Sequence, residues 1–238
     1  MIAILKKEFN SFFASPIAYL VIGVFLLING LFLFIFKDDF NILNAGFADL
    51  NPFFYLTPWV FIFLIPAITM KSFADEFNNG TIELLKTKPI SNWQIVLGKF
   101  WAALLLVVIA LIPTITYLYT VYQLGNPIGN IDFGATIGSY IGLLFLAATY
   151  TAIGLFTSTL SKNQIVAFIL GVFSTFFLFY GFDAISNSFD NNLTIQQIGI
   201  NEHFKSISRG IIDTRDLVYF ISVTIFFLFI TKTRLENE

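Results

Sequence analysis

The residue types that most often carry chemistry are scarce in this chain, and their spacing closes most catalytic routes. His203 is the one histidine and cysteine is absent, so a zinc constellation or a thiolate site cannot be assembled. Neither HExxH nor GxSxG occurs, which removes the metallopeptidase and serine-hydrolase signatures. Gly98-Lys99 could end a phosphate-binding loop, but Phe100 follows it and Trp93 stands where the leading glycine belongs. A Walker A cradle is therefore missing, and any ATP chemistry must come from another chain. His203 reads as a loop or interface residue. One charge-mixed stretch, Lys71 to Lys99, is set between two long apolar segments. What such a stretch can offer is docking, through ion pairs and apolar anchors on short helical pieces.

The surroundings of that stretch are apolar to an extent rare in soluble domains. Of 238 residues, 57% are hydrophobic and 12% charged, which places the chain among membrane proteins. The length accommodates about six spans of roughly 20 residues and leaves no room for a second catalytic domain. A net charge of -2 provides no basic field for nucleic acid. We therefore expect an all-α polytopic fold forming one membrane domain over 1–238, with membrane lipids as its surroundings.

In chain order, residues 1–15 place Ile2, Leu5, Phe9, Phe12 and Phe13 on one helical face with Lys6, Lys7 and Glu8 opposite, the pattern of an interfacial helix. The spans fall at about 17–36, 52–70, 101–122, 135–160, 165–182 and 217–231. Pro58 and Pro66 in the second span each remove a backbone hydrogen bond, giving a kink or a moving gate, and Pro113 marks a kink in the third. Gly134, Gly138 and Gly142 recur every fourth residue, a small-residue face for helix packing. The last span, at fifteen residues and about 22 Å, is short for a bilayer core, so 183–216 is expected to dip into the outer side as re-entrant or interfacial short helices.

Within 71–99, Asn78-Asn79-Gly80 signals a turn, Thr81 is a candidate cap for a short helix bearing Ile82 and Leu85, and Pro89 ends it. Ser91 with Gln94 forms a capping box that opens the next helix. Lys and Arg number nine on the side holding the termini and this stretch, and four on the other side (Lys37, Lys205, Arg209 and Arg215). That asymmetry places both termini in the cytoplasm. The exception is 183–216, which carries three of the four. The span interiors lack Asp, Glu, Lys, Arg and His, which argues against an ion-coupled transporter.

Two blocks of residues resemble a known family. Glu76-Phe-Asn-Asn-Gly80-Thr81-Ile-Glu83-Leu-Leu85, with Pro89-Ile-Ser91 and Leu97-Gly98-Lys99, is similar to the first cytoplasmic loop of type-2 ABC transporter permeases. Glu202-His203-Phe204, Arg209-Gly210-Ile-Ile-Asp213 and Asp216-Leu-Val-Tyr219-Phe220 resemble the segment before that family's last span. The overall likeness is to the gliding-motility-associated permease subunits of Bacteroidetes. The resemblance implies an N-terminal elbow helix on the inner leaflet of a bacterial inner membrane. It also implies a coupling helix over about Ala74 to Leu85 that seats on a dimer of ABC ATPase subunits, the holders of ATP and magnesium. Asp75, Glu76, Glu83 and Lys86 would be its polar contacts, Phe77, Ile82 and Leu85 its anchors, with Gly80 and Thr81 at the turn between its two pieces. A second permease, a different chain with a larger outer-side segment, would complete the transporter. The chain itself would then be no enzyme, with no cofactor of its own, and would couple ATP hydrolysis to export or to gliding machinery. The alternative is a non-transporting anchor or scaffold of a motility or secretion complex.

Overall fold

Twenty apolar residues cannot leave their backbone groups unpaired in hydrocarbon, so each such run closes its own hydrogen bonds as a helix. The computed structural model describes residues 1–44, 46–188, 193–210 and 213–237, and of Lys86 the backbone. Among them the fold is all-α, with six helical stretches long and apolar enough to cross a membrane.

The chain opens with α1 (Ile2–Ala14). Its packing differs from a helix that merely floats on a lipid surface: Ile4 and Phe12 are buried and Ile2 is 73% exposed. The reason is a glycine. A Cβ at Gly98 would lie 2.9 Å from Ile4, so only glycine lets α1 settle onto α6 (Asn92–Leu111).

The first membrane helix is α2 (Ile17–Gly30), widened at its end into a π-helical turn, Leu31–Ile35. The second, α3 (Asn51–Thr69), runs helically through Pro58 and Pro66 and passes into α4 (Lys71–Asn78). The expected boundary at residue 70 is thus a change of composition with no break in the helix. Gly80, in the left-handed region at φ 67, turns the chain into α5 (Thr81–Lys86). The cap of α5 is this glycine; Thr81 lies inside the helix, its hydroxyl 3.5 Å from the Glu76 carbonyl. The α6 helix begins at Asn92, nine residues before the expected start of the third span at Trp101. Its N-cap is Ser91, whose hydroxyl accepts from the Gln94 amide at 3.3 Å. The stretch 71–99 is therefore two helix extensions with α5 between them.

At Pro113 the third span tightens into a 3-10 turn, Ile112–Thr114, and resumes as α7 (Ile115–Leu124). Then come α8 (Phe133–Ser158) and α9 (Gln164–Phe176), the latter followed by a second π-helical turn, Phe177–Gly181, and α10 (Phe182–Ser188). The fifth helical stretch thus reaches Ser188, beyond the expected limit at 182. Short helices α11 (Leu193–Gln196) and α12 (Ile200–Ser208) precede α13 (Thr214–Glu236). The last helix has 23 residues, about 34 Å at 1.5 Å each, longer at both ends than the fifteen-residue apolar run it contains. Thr231 to Glu236 read as a polar tail, yet they stay helical, with Lys232 paired to Glu236 at 2.6 Å one turn on.

The helices sort into layers. The stretches containing α3, α6 and α8 bury about two-thirds or more of their most apolar windows, against under a third for those of α2, α9 and α13. Close approach joins α3 to α8 and to α9: a Cβ on Gly154 of α8 would run into the Thr69 hydroxyl, and one on Gly171 of α9 would meet Pro66 at 2.9 Å. Gly154→Ala should therefore destabilise the detergent-solubilised protein by about 1–3 kcal/mol, read as a lower melting temperature. Adding Thr69→Ala should restore most of the loss; a double variant no better than the single one would show that the contact is not the cause.

Candidate functional site

The end of the bundle that carries both termini holds a charge buried by three helices. Lys99 is two turns inside α6 and 2% exposed. An ammonium in that position must find fixed partners, because its desolvation would otherwise cost several kcal/mol. It donates to Glu8 of α1 at 3.0 Å, to Glu76 of α4 at 2.8 Å and to the Ser72 carbonyl at 2.8 Å. Its Nζ also lies 5.0 Å from the centre of the Phe73 ring. Lys7 completes the balance from the open side, 3.3 Å from Glu8 and 3.7 Å from Glu76. Two cations and two carboxylates thus share one node, which fastens α1 and α4 to α6. Burial alone would raise the Glu8 carboxyl, but Lys99 and then Lys7 outweigh it and hold the group below its ordinary 4.5.

The tip beyond this node is held by further contacts. Asp75 accepts from the Gln164 side chain at the start of α9, and Lys71 lies over the Phe12 ring at 5.3 Å. Glu76, 8% exposed, and Ile82, 7% exposed, face the chain itself. The first serves Lys99 and the second joins the core. Phe77 and Leu85 are half-buried, packed on that core. Gly80, Thr81 and Glu83 are exposed, and Leu84, which the sequence reading did not single out, stands 65% exposed at the tip. The Lys86 side chain lies outside the described residues.

The opposite end is organised by α12. Its apolar residues Ile200, Phe204 and Ile207 are buried against the N-terminal part of α8, where the recurrent glycines lie. A Cβ on Gly138 would meet the Ile207 carbonyl at 2.7 Å, and one on Gly142 would meet Phe204 at 3.2 Å. Gly134 faces the backbone of Gly210, which adopts φ 84 and where a Cβ would meet Gly134 and Ala135 at 2.9 and 2.8 Å. The glycines thus seat a short helix. Asp213 caps α13 by accepting from the Arg215 amide at 2.8 Å. His203 lies 2.7 Å from Asp216 through Nδ1, donates through Nε2 to the Gln197 carbonyl at 2.9 Å, and stacks on Tyr219 at 3.9 Å. It is a clasp between α12 and α13. Arg209 is exposed.

Residues 2–228, nearly the whole chain, match the family described as ABC-2 family transporter protein. No curated protein matches the chain.

Replacing Lys99 by Ala would leave the buried Glu76 and the half-buried Glu8 with only the exposed Lys7 as counter-charge and should cost about 3 kcal/mol, read as a large fall in melting temperature and increased exchange of the α1 amides. The pH dependence follows from Glu8. With its folded pKa depressed, its contribution is fully present above the unfolded value of 4.5 and is lost as pH falls through the folded value. The stability gap between the wild type and Glu8→Gln should persist above pH 4.5 and close below it. A gap independent of pH would refute that assignment.

Proposed function

The chain belongs to the ABC-2 family of transporter proteins, and from that premise we propose that it is a permease subunit whose α4–α5 tip receives force from a separate ABC ATPase. The observation that supports this reading is the tip itself. Exposed Gly80, Thr81, Glu83 and Leu84 project beyond a neutralised node that ties α4 to α1 and α6. A push on α5 is delivered to α4 and, through it, to α3, while Lys99 carries the same push to α6. Nucleotide-driven closure of the ATPase pair would bias the spans between two arrangements, provided that the tip contacts differ between the two ATPase states. Asp75, Phe77, Leu85 and Lys86 flank the docking surface, and ATP and magnesium are bound by the partner. Both termini lie in the cytoplasm of a bacterium, on the grounds of the nine-to-four cation asymmetry. A second, different permease chain with a larger outer-side segment completes the unit, and its work is export or the driving of a gliding apparatus.

Leu84→Asp tests the docking surface without touching the core. The variant should insert and purify at normal yield, while co-purification of the ATPase falls at least about tenfold, as expected when an apolar anchor at the centre of an interface becomes charged. Recovery of the ATPase at wild-type yield would refute the tip assignment. Orientation has its own test: an epitope inserted after Gly129 should be labelled on spheroplasts from outside, and one following Glu238 only after permeabilisation. Inverted labelling would reverse the topology.

A further inference from the structure

Three of the four cations on the side opposite the termini lie in one segment, against the charge bias of the rest of the chain. Two of these, Lys205 in the last turn of α12 and Arg209 at its C-cap, stand four residues apart and line the same cavity, of about 430 Å3, a size typical of small-molecule sites. Its other side is the start of α3, Asn51, Phe54 and Tyr55, with Ser208 and Glu202 completing the polar part of the wall. The helix that presents the cations is fixed to α8 by the contacts at Gly138 and Gly142 and to α13 by the His203–Asp216 clasp. A rigidly held basic pair is what recognition of an anionic group requires.

The charges nearby narrow the choice of anion. Lys205 reaches Asp183 at 3.6 Å, long for an ion pair, with 43% of its side chain exposed, and can still turn to a ligand. Arg209 has no ion-pair partner among the described residues, and its planar guanidinium suits two oxygens of one phosphate. With Glu202 in the same wall, the lining carries one net positive charge, which matches a monoanionic phosphodiester better than a doubly charged phosphate. Tyr55, 60% exposed at the first turn of a membrane helix, supplies an aromatic surface at interfacial depth.

We propose that this cavity binds the phosphodiester headgroup of an amphiphile, with Lys205 and Arg209 on the phosphate and Phe54 and Tyr55 beside the start of its chains. The site does not depend on the ATPase docking tip and would stand if that assignment fell.

The experiment is native mass spectrometry of the full-length protein in detergent, titrated with dioleoylphosphatidylglycerol, with dioleoylglycerol, and with glycerophosphoglycerol as the headgroup without chains. We expect a saturable one-to-one adduct with the phospholipid and none with the diacylglycerol. Affinity should fall at least about tenfold in a variant carrying both Lys205→Gln and Arg209→Gln, and about threefold or more in Arg209→Gln alone. Arg215→Gln, an exposed cation at the same end that does not line the cavity, should bind as the wild type. Wild-type affinity in the paired variant, or equal binding of the diacylglycerol, overturns the site. If the paired variant is not recovered folded, the exposed Arg209→Gln decides alone: unchanged affinity overturns the proposal and the expected loss supports it. Displacement of the phospholipid by glycerophosphoglycerol at similar concentrations would keep the phosphodiester chemistry and overturn the amphiphile as its source.

Discussion

An ammonium with 2% exposure fixes the geometry of one whole end of this protein. The partners of Lys99 come from α1, α4 and the α4 backbone, so none of these elements can slide on α6 by more than about an ångström without leaving hydrogen-bond range and stranding a charge. A node of this kind contributes little net stability when intact and a large penalty when broken. Its effect is to make α1, α4 and α6 move together. Since α4 continues α3 almost without interruption, displacement at the tip reaches two of the three inner membrane helices through helices that are already closed hydrogen-bonded rods.

The second constraint is steric and runs along α8. Its C-terminal half touches α3 where Gly154 meets Thr69, and its N-terminal half carries α12 where Gly138 and Gly142 meet Ile207 and Phe204. The two ends of the protein are therefore joined through one continuous helix that has no side chain at its closest contacts. Packing of this kind tolerates rigid rotation better than local bending. The breaks in regular α-helix lie elsewhere: π-helical turns in the first and fifth spans and a 3-10 turn at Pro113 in the third. Departures from regular geometry are found where helices hinge or carry function.

What the sequence disclosed followed from local rules. Apolar runs gave six spans, Ser91 announced the start of α6, and Pro113 marked a change of helix type, because each depends on residues within a turn or two. The ends of the helices were misjudged wherever polar composition was taken for loss of helix, as at Lys71 and after Thr231. Helices emerging from a membrane become polar without unwinding, since i to i+4 pairs such as Lys232 with Glu236 sustain them. The node was hidden for another reason. Glu8 and Lys99 are 91 positions apart, and Glu8 lay with Lys6 and Lys7 on what reads as a solvated face. The usable signal was Lys99 itself, a charge two turns past a recognisable N-cap and inside an apolar run. The pairing of Gly98 with Lys99 acquires its meaning only in three dimensions, the first giving α1 room to approach and the second giving it a partner.

The same distinction bears on orientation. A count of cations treats every Lys and Arg alike, whereas the structure separates those consumed within the fold from those presented outside it. Lys7 and Lys99 are neutralised in the node and Lys232 pairs with Glu236, and removing these three from the nine leaves six against four. The asymmetry thus survives that discount on the terminal side. On the other side the cations of α12 do not vanish under the same discount, since Lys205 pairs only loosely and Arg209 not at all among the described residues. One end of the molecule has used its charge to lock three helices together, and the other has kept charge on a locked helix facing a cavity. A neutralised charge node and an unneutralised basic pair thus stand at opposite ends of the same inner helices.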